Sequence, residues 1–432
     1  MDAPVAAGAE PDAHVRRRHV FYVGGFDPNG PAHYHRLYAD EARRQAEVSG
    51  FEIEVGPRRR AGEHAAQWSV DASWAHGDTV ATTVEFLRWD DIVRANWPRS
   101  RWAVMVSALA TTARQVANGV LWRILKTSWP AFLVLFFPPA LVVGLFAWLV
   151  LTAAVVLMLA PLGGAWSVAG IALGAASVAG WLRFGRWAEA RVHMAWLMRS
   201  TRYILRQARG ATPELEARID EFSARVDAAL GDDANDEVLV VGHSSGAMLA
   251  VSTAARALAR RDAASQASAG AAARPLSLLT LGECIPMLSY QPEARAFRAE
   301  LARLATSSSL TWLDFTAPPD GCCFALVDPT AVCEERAGAA RWVPPKRLSP
   351  RFAQMFDAAT YARVRADKYR CHFQYLMASQ IPGTYDYFAI TAGPQRLGDR
   401  FAAQPGVEHF RDFQLFGGDS ATPATAQSRE PT

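Results

Sequence analysis

Fifty-six consecutive residues, Thr127 to Leu182, carry no charged side chain. No other feature restricts the fold of this chain as strongly. A helix needs about 20 apolar residues to cross the hydrocarbon core of a bilayer. The run supplies two such lengths, 140–159 and 165–182, joined by Pro161-Leu162-Gly163-Gly164, which reads as a turn. Pro138-Pro139 predicts the start of the first span, because backbone N–H groups there have no partner within the helix. A helical hairpin buried in a soluble core is the alternative, but both helices would then need cover on every face. No acidic residue occurs between Ile92 and Ala188, whereas Arg94, Arg99, Arg101, Arg114, Arg123 and Lys126 precede the hairpin and Arg183, Arg186 and Arg191 follow it. The positive-inside rule places both flanks on the cytoplasmic side and the uncharged turn on the far side. Trp129, Trp166, Trp181 and Trp187 fall near the expected interfaces, where amphipathic rings are favoured. Residues 102–125 read as one amphipathic helix, lying at the interface or packing on the soluble part. Residues 187–207 are expected to continue the second span out of the membrane as an unbroken helix.

The remainder of the 432 residues is long enough for one large domain or two ordinary ones. A net charge of +3 is too small for a nucleic-acid binder, and no zinc or RNA-binding pattern is present. Cys284, Cys322, Cys323, Cys333 and Cys371 have no metal-site or disulfide spacing, which favours free thiols in a reducing compartment. Residues 1–18 contain basic residues but no apolar run, so they do not read as a secretory signal.

Outside the hairpin, strand and helix patterns alternate. Residues 19–23 are apolar and stop at the turn-rich Gly24-Gly25-Phe26-Asp27-Pro28-Asn29-Gly30. A helical stretch over 34–48 and a strand over 51–55 follow, the mark of a parallel α/β sheet. Residues 56–65 read as a basic loop, and 66–72 with 79–89 as a hairpin. Thr212-Pro213 starts a helix that runs to about Leu230. Strands at 276–281 and 310–315 alternate with a helix at 293–305. Residues 328–350 read as loop.

The segment Val238 to Ala250 combines a buried strand, the turn Gly242-His243-Ser244-Ser245-Gly246 and a small-residue helix. Gly-X-Ser-X-Gly is common by chance, but with a strand before it and a helix after it the serine is thrust out over the sheet edge. Such a serine is a nucleophile only if a base accepts its proton and a carboxylate orients the base. His372 and His409 are the histidines beyond the later strands; His372 is preferred on its order along the chain after serine and acid, and His409 lies in a more solvated run near the tail. Asp320, in a Pro-Pro-Asp-Gly turn just past a strand, is the first choice of acid, with Asp314 and Glu283 as alternatives. The oxyanion donors would be the amides of Ser245 and of Phe26 or Gly25. His33 and His35 do not share a helix face and have no carboxylate cluster beside them, so no metal is expected.

The elbow at Ser244, the later Asp320 and His372, and the early Val23-Gly24-Gly25-Phe26 loop resemble the α/β-hydrolase superfamily in order along the chain. The resemblance covers roughly residues 19–55 and 213–390. It implies an α/β fold, with a mostly parallel sheet and helices on both faces, interrupted by the transmembrane hairpin. Only 18 residues precede the first strand, so the leading antiparallel hairpin of that superfamily is absent or replaced by 66–89. The expected organisation is a disordered terminus (1–15), a first core part (16–96), the membrane insertion (97–200), a second core part (201–415) and a disordered tail (416–432). The implied function is a membrane-anchored serine hydrolase acting on an ester, thioester or lipid-like acyl substrate, with a cytoplasmic catalytic domain and no cofactor. An acyltransferase, or a non-catalytic scaffold of the same fold, are the alternatives.

Overall fold

The computed structural model describes residues 14–97, 100–267 and 275–407. The disordered termini expected from the sequence fall, apart from residues 14 and 15, outside the described residues. So does His409.

In chain order, β1 (Arg17–Val23) leads to α1 (Pro31–Ser49), β2 (Glu52–Val55), β3 (Arg59–Arg60), β4 (Ala65–Ser73) and β5 (Thr79–Leu87). Then come α2 (Asp90–Ala95), α3 (Arg101–Ala117), α4 (Val120–Thr127), α5 (Trp129–Leu159), α6 (Gly164–Val192), α7 (Met194–Ala208) and α8 (Pro213–Gly231). The chain re-enters the sheet with β6 (Glu237–His243), α9 (Gly246–Ala267), β7 (Leu276–Leu281), α10 (Pro286–Ser289), α11 (Arg295–Thr306) and β8 (Leu310–Phe315). It closes with β9 (Lys346–Leu348), α12 (Ala358–Ala366), α13 (Lys368–Phe373), α14 (Tyr387–Ala392) and α15 (Leu397–Arg400).

The nine strands form one mixed sheet in the order β2-β4-β5-β1-β6-β7-β8-β9, with β3 paired to β4. From β5 to β9 every pairing is parallel, and β4 is antiparallel to β2, β3 and β5. The alternation of a strand sends successive side chains to opposite faces. Phe21, Val23, Val238 and Val240 pack with α8, α9 and α11 on one face; Val20, Tyr22, Leu239 and Val241 pack with α1 and the α13–α14 region on the other. Both faces of the central strands are covered, which is why β6 is buried at every position. At the foot of β1 the buried Arg18 donates to Glu237 (2.7 Å) and to the carbonyls of Gly393 and Gln395. Glu237 also accepts from Ser277 and from the Leu397 amide, so the buried pair is saturated on both sides.

The sequence pattern misses several details. β9 lies within the stretch read as loop and extends the sheet by three residues paired to β8; so short a strand leaves no periodicity to detect. β2 runs in the same direction as β1 but is separated from it by β4 and β5. The amphipathic segment is two helices, not one. Asn118-Gly119 breaks it, with Gly119 at φ 75°, a left-handed conformation that glycine adopts at little cost. The helix leaving the second span is broken as well, at His193, which has φ 49°. Pro138-Pro139 does not start the first span. α5 begins at Trp129, where the Ser128 hydroxyl accepts the Ala131 amide, and both prolines lie inside it. They are buried and share a cleft with Ala108 of α3 and Leu197 of α7. Neighbouring helices stabilise a helix that has lost two donors.

α5 and α6 are each long and apolar enough to cross a membrane, and only 6 % and 11 % of their most apolar windows is buried by the rest of the protein. Leu157 and Val150 remain about 70 % exposed. A soluble core helix would be covered, so these surfaces call for an apolar surrounding. Val104 and Ala108 of α3, Ala188 of α6, and Met194 and Met198 of α7 form a separate small core that ties the insertion together.

Candidate active site

β6 ends and α9 begins across Ser244-Ser245 alone, and Ser244 is held at φ 59°. A serine in the left-handed region is uncommon and costs about 1–3 kcal/mol, so the surrounding structure must hold it there. The glycines on either side permit the turn. A Cβ on Gly246 would lie 2.3 Å from the Val23 carbonyl oxygen, and one on Gly242 would lie 2.6 Å from the Ala250 side chain. The helix therefore starts directly against the end of β1.

His372 sits on α13, whose first turn is capped by Asp367. Its Nδ1 is 2.8 Å from Asp320 Oδ2, and both side chains are buried. Asp320 also accepts from the Tyr375 hydroxyl at Oδ2 (3.1 Å) and from the Cys322 amide at Oδ1 (3.0 Å). Burial pushes the Asp320 carboxyl up, but the His372 imidazole and the Cys322 amide outweigh it and hold the group below its ordinary value. An ionised carboxylate only accepts, so His372 Nδ1 carries the proton, which leaves Nε2 as the position that can take one up. That Nε2 is buried and has no hydrogen-bond partner among the described residues. Of the three carboxylates considered, Asp320 is the one bonded to His372. Asp314 accepts from Thr280 (2.7 Å), and Glu283 accepts from the Ile285 amide (2.5 Å).

The backbone of His372 is fixed too. His243, inside the serine turn, has Nε2 2.8 Å from the His372 carbonyl oxygen. The carbonyl can only accept, so His243 donates. Burial holds its imidazole neutral by pushing its pKa down to about 3. Tyr375 braces the acid from behind: its hydroxyl accepts the Ala317 amide at 2.8 Å while donating to Asp320.

The loop Gly24-Gly25-Phe26 lies against the elbow; a Cβ on Gly25 would be 3.2 Å from Ser244 Oγ. Each of its carbonyls is held by a donor. Gly24 accepts from Trp89 Nε1 (2.8 Å), Gly25 from the Asp27 amide (2.7 Å) and Phe26 from Trp196 Nε1 (2.6 Å). In a planar trans peptide N–H and C=O point opposite ways, so the Phe26 amide faces the elbow. There it donates to Ser245 Oγ at 2.8 Å. The Ser245 amide has no partner among the described residues. The space in front of Ser244 is closed down to about 30 Å³, room for about one water. Val134 and Leu135 of α5, Trp196 and Leu197 of α7, and Cys284 and Phe324 line it. Burial pushes the Cys284 thiol up, and its hydrogen bond with Ser244 only partly offsets this. A larger hollow of about 390 Å³, lined by Arg58, Arg60, His64 and Arg88, includes none of these residues.

Asp320, Cys322 and His372 could offer a metal three atoms within 4.8 Å of one another. The donor set fits poorly. Both Asp320 oxygens already accept hydrogen bonds, and burial pushes the Cys322 thiol up, away from the thiolate that a metal binds.

No family model, no curated protein and no solved structure matches this chain. The site is therefore read from its own geometry.

Sequence reasoning selected Ser244, Asp320 and His372 but not the residues that hold them. His243 was visible inside the serine turn, but nothing marks a turn residue as a donor to a carbonyl 129 positions away. Tyr375, Trp89 and Trp196 were legible only as aromatic residues, because each acts through one polar atom whose target is distant in sequence.

Proposed function

We propose that the protein is a membrane-anchored serine hydrolase of the α/β-hydrolase type, cleaving an ester, thioester or lipid-like acyl substrate. The observation that carries this reading is the buried His372–Asp320 pair beside a serine elbow held at positive φ. Ser244 Oγ would attack the acyl carbonyl carbon while its proton passes to His372 Nε2. Asp320 stabilises the imidazolium so formed. The carbonyl electrons move onto oxygen, facing the Ser245 amide and, once Ser245 Oγ releases it, the Phe26 amide. Collapse breaks the bond to the leaving group, which takes the proton from His372. Water activated by the same imidazole then hydrolyses the acyl-enzyme. Arginines flanking the hairpin favour a cytoplasmic catalytic domain. Val134 and Leu135, which face Ser244, stand on α5 shortly before its most apolar part, and this suits a substrate that partitions into the bilayer.

A second reading has its own support. His372 Nε2 is unpartnered among the described residues and the cavity is small, as in a domain that keeps the fold as a non-catalytic scaffold. Fluorophosphonate labelling of membranes holding the full chain decides between them. Labelling of the wild type that disappears in Ser244→Ala supports the hydrolase, and equal labelling of both excludes it. Product analysis with an added alcohol distinguishes an acyltransferase.

A further inference from the structure

We propose that Trp196, supplied by the membrane insertion, is a positioning residue for the serine chemistry. This inference rests on the hydrolase reading above.

The oxyanion loop is held by two indole donors of different origin. Trp89, next to α2, belongs to the part of the core that precedes the insertion and holds the Gly24 carbonyl. Trp196 stands in the first turn of α7, three residues after the break at His193 where the second apolar helix ends. Its Nε1 holds the Phe26 carbonyl at 2.6 Å. The consequence runs through two planar peptides. With the Phe26 carbonyl fixed, the Asp27 amide on the same plane points the other way, onto the Gly25 carbonyl at 2.7 Å. With the Gly25 carbonyl fixed, the Phe26 amide is aimed at the elbow. The direction of the oxyanion donor is thus set by a side chain arriving from the membrane.

The same side chain also lies beside the base. The indole and the His372 imidazole lie 6.2 Å apart between ring centres. A second line joins the insertion to α13: the His193 ring lies 5.4 Å from Tyr369, which stacks on Phe373 beside His372. Trp196 also lines the cavity in front of Ser244. One side chain therefore touches the oxyanion loop, the base and the substrate space, and its position follows that of α7. Seating of the hairpin in the bilayer and alignment of the catalytic groups become one event.

The test uses the full chain in phosphatidylcholine vesicles with p-nitrophenyl butyrate, a substrate small enough not to need the bilayer. Trp196→Phe keeps the ring and removes the donor; Trp196→Leu removes both; Trp102→Phe, on an exposed position of α3, is the control. Rates are taken per folded molecule. The expected result is a roughly tenfold fall in kcat for Trp196→Phe, the size of one lost hydrogen bond, with KM unchanged. Trp196→Leu falls further and its fluorophosphonate labelling slows in parallel. Trp102→Phe behaves as the wild type. A wild-type kcat in Trp196→Phe overturns the proposal and leaves the hydrolase reading intact. So does a rise in KM at constant kcat, which makes Trp196 a wall of the cavity, and so does a loss of folded protein with normal kcat per folded molecule. Absence of Ser244-dependent turnover in the wild type overturns both readings.

Discussion

Replacing Asp320 by Asn tests the acid, because the structure dictates which way the amide must turn. Oδ1 accepts the Cys322 amide at 3.0 Å, and Oδ2 accepts His372 Nδ1 at 2.8 Å and the Tyr375 hydroxyl at 3.1 Å. The Cys322 amide cannot rotate, so the asparagine oxygen takes the Oδ1 position and its NH₂ group takes the other. The NH₂ group then faces two former donors. Nδ1 of His372 can meet it only as an acceptor, and the proton moves to Nε2, where it blocks uptake of the serine proton. Tyr375 must rotate its hydroxyl away, and its alternative acceptor is Cys323 Sγ at 3.7 Å. Inverting the tautomer of a serine-enzyme histidine costs about 10⁴ in kcat, and displacing the tyrosine adds about 1 kcal/mol of lost stability. The expected result is a kcat for p-nitrophenyl ester hydrolysis reduced by three to four orders of magnitude, with substrate binding retained. The assay is steady-state turnover beside a thermal melt of the purified protein. A folded Asp320→Asn protein within tenfold of wild-type kcat would refute the assignment and return the choice to Asp314 or Glu283.

Three further outcomes follow from features already described. Gly246→Ala places a Cβ against two backbone carbonyls, those of Val23 and Gly24, at 2.3 and 2.5 Å; overpacking that no side chain can relieve should cost upward of about 3 kcal/mol, read as lost expression of folded protein. Burial pushes the Asp314 carboxyl up from 3.8 to about 7. Its contribution to stability is therefore full below pH 4 and is lost as pH rises through 7, so Asp314→Asn should stabilise the protein at pH 8 and hardly at all at pH 4, as denaturation at the two pH values will show. Val150→Arg puts a charge on an exposed position of α5, at the middle of the apolar stretch 140–159. The cost of about 2.5–3.5 kcal/mol at a helix centre should appear as a carbonate-extractable fraction, and a protein that stays soluble and active without membranes would contradict the bilayer reading.

What the sequence made legible is what periodicity and composition encode. The strands around Val20, Val240, Leu278 and Leu313 are apolar runs bounded by turn residues, and each was found close to its true place. The two long helices were found because absence of charge is a property of a single segment. The serine turn was legible because its glycines answer to contacts within a few residues. Pairing was not: nothing in β1 says that its neighbours are β5 and β6, since hydrogen-bonded strands share no complementary code. Pro138 and Pro139 misled because helix breaking is a local tendency, overridden here by packing against α3 and α7. For the same reason Asp320 could be ranked above Asp314 and Glu283 by position, but the decision needed the third dimension, where Asp314 turns to Thr280.

The place of the insertion bears on how the chain assembles. β1 lies between β5 and β6, and Arg18 is 219 positions from its partner Glu237. During synthesis the first half of the sheet is therefore complete except along one edge of its central strand, an edge of unpaired backbone groups that invites aggregation. That edge must wait until everything up to β6 has been made. The helical hairpin shortens the wait in space. Once α5 and α6 pack against each other as an antiparallel pair, their outer ends are brought together, and the long loop to be closed becomes a much shorter one. Loop-closure entropy changes by only about 0.6 kcal/mol for each halving of length. The larger gain is kinetic: with the hairpin docked, β6 is delivered beside β1 rather than left to search for it. The segment that divides the domain in sequence would thereby act as its folding jig.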